Sequence, residues 1–167
     1  MRKISFFLCC VLLLQILSSC SVRKEEFENP VNFYYCRREI SYNSQQAVLQ
    51  PEVREGKSYH GNLFAYLHSY LYGPVSQELE TLIPSGVYLV SCSVDDGVAD
   101  IIFSSQFSKL SGIELTTACS GILLSLHEFA DVNTVRITAK DSQLDDKDIF
   151  ELSLDDIVLL DEVIRKD

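Results

Sequence analysis

The sequence predicts an α+β domain, in which a small mixed or antiparallel β-sheet carries two main helices packed on one face. Residues 31–139 contain segments in which apolar and polar residues alternate, as in strands, and segments with the 3.6-residue period of amphipathic helices. Their order is β, β, helix, hairpin, helix, β. The chain of 167 residues is 47% hydrophobic and 23% charged, which is ordinary for a folded domain and excludes wholesale disorder.

Two strands are predicted at the start of this order. Val31 to Cys36 is rich in β-branched and aromatic residues, which is typical of a strand. Ala47 to Val53 can return as a second strand. Pro51 weakens it, because proline cannot donate a hydrogen bond to a neighbouring strand.

An amphipathic helix is predicted over residues 58–72. Gly73 and Pro74 end it, since glycine accepts the left-handed cap and proline cannot continue a helix. Residues 76–82 could add one more short helical turn. The apolar side chains with helical spacing are Leu63, Tyr66, Leu67, Tyr70 and Leu71.

A β-hairpin is predicted from Val87–Val94 and Val98–Ser104. The linker Asp95-Asp96-Gly97 contains the Asp-Gly pair that favours a tight turn. Alternation groups the side chains that share one face, which are Tyr88, Val90, Cys92 and Val94 in the first strand and Ala99, Ile101 and Phe103 in the second.

A second helix is predicted behind Ser111, because Ser111-Gly112-Ile113-Glu114 has the form of a capping box. Val132 to Ala139 is predicted to be the strand that follows. The apolar stripe of this helix consists of Leu115, Cys119, Ile122, Leu126 and Phe129.

The N-terminus has the pattern of an export signal with a lipid anchor. Arg2 and Lys3 precede an apolar run that ends in Leu17-Ser18-Ser19-Cys20, which resembles the bacterial lipobox. We therefore expect residues 1–19 to be a lipoprotein signal peptide and Cys20 to be the lipidated (palmitate-bearing) residue. Residues 20–30 are mostly polar and suit a tether between the lipid and the domain.

The charge of the chain argues against a nucleic-acid partner, because a formal net charge of −10 leaves few clustered cations to neutralise phosphates. Residues 141–167 form an acidic C-terminal segment with 10 acidic and 3 basic side chains. Beyond Ser153, this segment fits either a terminal amphipathic helix or a short strand over residues 157–160.

Few residues have the pattern of a chemical site. Cys36, Cys92 and Cys119 remain after Cys20, and two of them could form a bridge, although packing as small hydrophobic residues fits better. The common hydrolase, nucleotide-binding and zinc motifs are absent from the sequence.

Three weaker patterns remain. His60, His68 and His127 are the candidate imidazole bases or ligands, and surface or helix-edge positions explain them more simply. The acidic run at residues 145–148 could gather calcium, but it lacks the spacing of a calcium loop. The tyrosines could stack on sugars or form an interface where they lie outside the core, and they are Tyr34, Tyr35, Tyr42, Tyr59, Tyr66, Tyr70, Tyr72 and Tyr88.

Four segments in order resemble the sporulation and spore-germination family of GerMN domains. They are Tyr-Leu-Tyr-Gly-Pro at 70–74, Ile-Pro-Ser-Gly-Val at 83–87, the strand at 97–107, and the helix at 114–129 followed by Val-Asn-Thr-Val-Arg-Ile at 132–137. The resemblance implies a fold similar to the ring-building motif of envelope assemblies, over a domain of residues 31–140. It also implies a role in interaction, with no catalytic residues. The chain departs from the family in having one copy instead of a tandem pair, and its acidic C-terminal segment lies outside the resemblance.

The sequence therefore predicts a non-catalytic, lipid-anchored extracytoplasmic module at the cell membrane, with a possible link to sporulation or germination. Its expected partners are the membrane, through Cys20, and an envelope protein or peptidoglycan. No cofactor and no metal are expected. The alternatives are a cell-wall-acting enzyme that uses one of the three histidines, or a solute- or glycan-binding lipoprotein with an aromatic-lined pocket.

Overall fold

The structure, a computed structural model, describes residues 27–39, 47–140 and 149–157. Within them, seven strands form two sheets and two α-helices pack between and against these sheets, so the predicted α+β class is confirmed. The elements are β1 (Pro30–Arg37), β2 (Leu49–Glu55), α1 (Leu63–Leu71), β3 (Leu79–Glu80), β4 (Leu89–Asp95), β5 (Val98–Ser104), α2 (Gly112–Ala130), β6 (Thr134–Lys140) and β7 (Ile149–Ser153).

The first sheet has three strands in the order β2-β1-β3. β1 pairs antiparallel with β2 along its whole length, and with β3 only at Cys36 and Arg37. Pro51 is tolerated because β2 is an edge strand, where a missing donor disrupts no second partner.

The short helical turn predicted over residues 76–82 is wrong, because this segment contains β3. The Arg38 N–H donates to the Glu78 carbonyl oxygen at 3.0 Å, and β3 pairs with the end of β1. The backbone groups of the segment thus find their partners in a strand, which removes the need for local helical hydrogen bonds.

The second sheet has four strands in the order β4-β5-β6-β7. β5 and β6 run parallel and are joined through α2, whereas the other two pairs are antiparallel. Ala99, Ile101 and Phe103 point into the core as predicted, and Asp100 lies on the exposed outer face. Both helices lie against this sheet, α1 beside β4 and α2 beside β6 and β7.

The predicted hairpin is confirmed, with Asp96 and Gly97 both at positive φ (48° and 74°) in its turn. The face predicted for the first strand is wrong in part. A β-bulge between Leu89 and Ser91 inserts one residue, so Leu89 is buried opposite Phe103 while Val90 is 40% exposed. Beyond the bulge, Cys92 pairs with Ile101 and packs partly buried against the core, whereas Val94, opposite Ala99, is 39% exposed.

The start of α1 and the cap of α2 differ from prediction. α1 begins at Leu63, because His60 and Gly61 have positive φ (42° and 73°), which a right-handed helix cannot include. Asn62 caps α1 by accepting the Ala65 N–H at 3.0 Å. α2 does follow Ser111, but the expected capping box is wrong, since the Ser111 side chain makes no capping hydrogen bond.

Part of the acidic C-terminal segment belongs to the second sheet. β7 pairs antiparallel with β6, and Leu152 is buried. Ser153 is a cap, as the helix alternative required, but it begins only a single 3-10 turn, Leu154–Asp156. The strand alternative at 157–160 and the rest of the helix alternative fall outside the described residues.

The core is an aromatic cluster where α1, α2 and the first sheet meet. The Tyr66 ring stacks on Phe33 with ring centroids 4.4 Å apart and on Phe129 at 4.0 Å. The Arg54 guanidinium lies 4.7 Å from the centre of the Phe33 ring, and its Nη2 donates to the Gly73 carbonyl oxygen at 2.7 Å. This contact holds the end of α1 onto the sheet.

Candidate interaction surface

The inner face of α1 attaches to an edge of β1 through tyrosine hydroxyl groups. Tyr66 donates to the carbonyl oxygen of Asn32, and Tyr70 donates to that of Tyr34 at 2.9 Å. Four residues of helix rise about 6 Å and two residues of strand about 6.6 Å, so the two hydroxyls match alternate carbonyls of the strand. The Tyr34 N–H donates to Ser125 Oγ of α2 at 2.8 Å. These three backbone groups of the edge are therefore satisfied by side chains of the two helices instead of by another strand.

The opposite face of α1 exposes aromatic side chains. Phe64 and Tyr72 are 47% and 80% exposed, and Val75 just beyond the helix is 82% exposed. His68 lies between the two rings, 6.3 Å from Phe64 and 5.1 Å from Tyr72 between ring centroids. We call Phe64, His68, Tyr72 and Val75 the α1 surface. Because α1 is apolar on both faces, its outer face has the character of a buried one.

The chain around the α1 surface carries no carboxylate. Residues 56–77 contain one Lys, two His and no Asp or Glu, in a protein with 24 acidic side chains. Two carboxylates from outside this segment bind its backbone. Glu55 accepts the Lys57 N–H at 3.0 Å, and Glu52 accepts the N–H groups of Val75 and Ser76 and pairs with Arg54 at 2.5 Å. Burial alone raises the pKa of Glu52, but these N–H groups and the guanidinium hold it below its usual value.

A second, polar feature lies at the start of β1. The Glu128 carboxylate accepts hydrogen bonds from Asn32 Nδ2 and from the Tyr34 hydroxyl. It borders a surface cavity of about 240 Å³ together with Pro30 and Phe129. Burial, with the Glu128 hydrogen bond and charge, raises the pKa of Tyr34 to about 12, so this phenol stays a donor at neutral pH.

The three histidines do not converge on a site. His60 and His68 are exposed, and His127 is half-buried with Nδ1 3.0 Å from the Val132 carbonyl oxygen. In the part of the chain that the structure describes, no group of three or more His, Cys, Asp or Glu could hold a metal ion.

The cysteines and tyrosines have mainly structural positions. Cys36, Cys92 and Cys119 are free, and burial raises the pKa of Cys119 to about 12, which keeps its thiol protonated and unreactive. Tyr34 is half-buried and Tyr72 and Tyr88 are exposed, whereas the core contains Tyr35, Tyr59, Tyr66 and Tyr70. Cys20, Tyr42 and the acidic run at 145–148 lie outside the described residues.

Sequence reasoning missed Phe64 and Val75. The signal was present, because Phe64, His68 and Tyr72 recur every four residues, but it was overlooked beside the stronger stripe of Leu63, Leu67 and Tyr70. A further surface cavity, of about 400 Å³, is lined by Arg37, Arg38, Glu39, Gln77 and Glu78. Neither this cavity nor the one beside Glu128 has the several aromatic walls expected of a solute pocket.

The described residues thus form an α+β fold that exposes an aromatic helix face. The family model "Germane: Sporulation and spore germination" matches residues 32–145, which is more than half of the chain. The chain therefore belongs to this family of sporulation and spore-germination domains, as the sequence motifs indicated.

One solved structure supports the fold, and a second is more distantly similar. The tandem GerMN domains of the sporulation protein GerM from Bacillus subtilis superpose with a TM-score of 0.54 at 24% identity, covering 72% of this chain and 43% of that one. A protein from Clostridium perfringens described as a lipoprotein matches at 18% identity with a TM-score of 0.46, covering 76% and 88% of the two chains. No curated protein matches the chain in sequence. Among the described residues, no helix is both long and hydrophobic enough to cross a bilayer.

Proposed function

We propose that the protein is a lipid-anchored, extracytoplasmic interaction module of the cell envelope, held to the membrane through Cys20. The observation that carries this proposal is family membership over residues 32–145, because the family is one of sporulation and spore-germination domains and the resemblance implies a role in interaction. The lipobox-like sequence at residues 17–20 supports the anchor.

The α1 surface supports a role in binding. Exposed aromatic rings with polar tips are the side chains most often found at the centres of interfaces, and here they lie on a helix fixed to the core by its other face. The proposed partner is another component of the envelope, and we favour a protein over peptidoglycan. The proposed process is sporulation or germination.

The rival function is a cell-wall-acting enzyme with a histidine base. It is less well supported, because His60 and His68 are exposed and no partner orients them among the described contacts, while His127 contacts a backbone carbonyl. Substituting each histidine by Ala discriminates the two functions. An unchanged phenotype in all three variants is expected for the interaction module, and loss in one variant with a normally folded protein would favour the enzyme.

Cell fractionation tests the anchor. The full-length chain should be recovered with membranes, and Cys20→Ser should release it or leave its precursor unprocessed, whereas Cys92→Ser, as a matched control, should not change its fraction. A wild-type protein in the soluble fraction, with no difference between these variants, would contradict the proposal. Crosslinking in intact cells, followed by recovery from membranes, then identifies the envelope partner.

A further inference from the structure

The α1 surface exposes three large hydrophobic side chains, Phe64, Tyr72 and Val75, on one helix and its end in an otherwise acidic protein, which is typical of a surface that another component covers. The position of α1 relative to the N-terminus suggests what covers it. Asn29 is linked to the start of α1 by three successive backbone hydrogen bonds: Gly56 N–H to Asn29 O, Tyr59 N–H to Gly56 O, and Asn62 N–H to Tyr59 O. The point where the tether enters the domain is therefore close to the α1 N-cap.

The length of the tether limits how far this end of the domain can be from the bilayer. The ten residues 20–29 span at most about 36 Å when fully extended. That distance is comparable to the diameter of a domain of this size, whose radius of gyration is about 14 Å. α1 itself is only about 14 Å long, so its whole outer face stays near the attachment point.

Charge distinguishes this face from the rest of the molecule. The chain carries a net charge of −10, which an anionic bilayer repels, but residues 56–77 contain only Lys57, His60 and His68 as titratable charge carriers apart from tyrosines. Of the two carboxylates that bind the backbone of this segment, Glu52 is paired with Arg54, and Glu55 accepts the Lys57 N–H next to the Lys57 charge. The segment that carries the α1 surface has no carboxylate of its own, so it can approach an anionic membrane at a lower electrostatic cost than the acidic remainder of the chain.

We propose that the α1 surface docks on the phospholipid bilayer to which Cys20 is attached, with Phe64 and Tyr72 in the interfacial layer. Aromatic rings favour that layer, and an apolar face of a short helix lies in its plane. Docking fixes the orientation of the domain and turns the outer face of the four-stranded sheet, with Asp100 and Arg136, toward other envelope components. This inference rests on the proposed lipid anchor.

The absence of tryptophan from the sequence allows a direct test. Phe64→Trp and Tyr72→Trp each place a single reporter on the α1 surface, and Ser93→Trp places a matched reporter at an exposed position on the opposite side of the sheet. Each full-length variant is recovered in lipidated form from membranes and reconstituted into vesicles of phosphatidylcholine and phosphatidylglycerol, with or without brominated phosphatidylcholine. Trp emission is then measured.

The expected result is a shift to shorter wavelength and a loss of fluorescence in brominated vesicles for Trp at 64 and 72, with neither change at 93. Emission from 64 and 72 like that from 93 would overturn the inference. So would a shift without quenching by the brominated lipid, because that result means that a protein, either a second copy or an envelope partner, covers the surface.

Two further measurements make the test decisive. Val75→Trp should be quenched by brominated lipid, and adding Phe64→Ser and Tyr72→Ser to it should abolish that quenching while the circular dichroism stays that of a folded domain. Unchanged quenching in the triple variant would also refute docking through these rings. Flotation distinguishes failure of the lipid anchor from failure of the docking. A chain that does not float with vesicles overturns the anchor and with it the docking, whereas a chain that floats with unquenched reporters overturns the docking alone.

Discussion

Replacing Gly121 by Ala tests how closely α2 approaches β1. A Cβ atom at Gly121 would lie 2.7 Å from the Tyr70 hydroxyl oxygen and 2.8 Å from the Tyr34 carbonyl oxygen, the two atoms joined by the hydrogen bond that attaches α1 to the strand. Both distances are below normal van der Waals contact. Tyr70 is only 3% exposed, so its ring has no free space into which to move.

The expected loss of stability follows from three contributions. Overpacking a tight core costs about 1–3 kcal/mol. Displacing the Tyr70 hydroxyl from the Tyr34 carbonyl costs about 1 kcal/mol more. Ala recovers about 1 kcal/mol through its higher helix propensity. We therefore expect Gly121→Ala to lower the free energy of unfolding by about 2 kcal/mol.

Urea unfolding followed by circular dichroism measures this change. Thr116→Ala, at an exposed position of the same helix, is the control and should leave the stability within about 0.5 kcal/mol of wild type. Adding Tyr70→Phe to Gly121→Ala should cost less than the sum of the two single changes, because the clashing oxygen has gone. Unchanged or increased stability in Gly121→Ala, or strict additivity in the double variant, would refute this account of the packing.

Three other outcomes are expected. Leu89→Ala should lower the free energy of unfolding by about 2–5 kcal/mol, whereas Val90→Ala should change it by no more than about 0.5 kcal/mol, because the β-bulge buries the first side chain and exposes the second. Equal losses in urea unfolding would contradict the bulge. Glu52 has a lowered pKa, so its contribution to the free energy of unfolding is present above the usual glutamate pKa of 4.5 and is lost as the pH falls below that value. Glu52→Gln should therefore make the stability less dependent on pH in the acid range. An unchanged pH dependence would contradict the pairing of Glu52 with Arg54. Burial first and Glu128 second raise the pKa of Tyr34 to about 12, so Tyr34 stabilises the fold below pH 10 and ceases to do so as the pH rises toward 12. In a phenolate absorbance titration, Glu128→Gln should lower the pKa of Tyr34 only in part. An unchanged pKa would exclude the hydrogen bond between Tyr34 and Glu128.

Local signals in the sequence were sufficient for much of the fold. The Asp-Gly turn, the alternation in β5 and the helical stripe ending at Phe129 each depend on residues close together in the chain, and each was predicted correctly. Gly73 ends α1 at φ 81°, as its position before Pro74 predicted. The segments that resemble the family are built from the same kind of local features. The resemblance therefore predicts the scaffold of the fold and little beyond it.

The errors arose where distant residues compete for backbone hydrogen bonds. Nothing within residues 76–82 reveals that the end of β1 leaves a free edge there, and so the strand β3 was mistaken for a helical turn. The bulge at Val90 is equally invisible, because alternation assumes one residue per step on both strands. The separation of the strands into two sheets depends on the same long-range pairing.

The exposure of the α1 surface is a consequence of how the opposite face is fixed. Rotating α1 to bury Phe64 and Tyr72 would withdraw the hydroxyls of Tyr66 and Tyr70 from the carbonyls of β1. Each buried carbonyl left without a partner costs about 1–3 kcal/mol, and the same rotation would expose the buried rings of Tyr66 and Tyr70, which offsets what shielding Phe64 and Tyr72 gains. The tyrosine hydroxyls therefore set the rotation of the helix, and the aromatic rings opposite them must point outward. A cover for these rings has to come from outside this packing, and the proposed lipid anchor at Cys20 would place the membrane within reach of them.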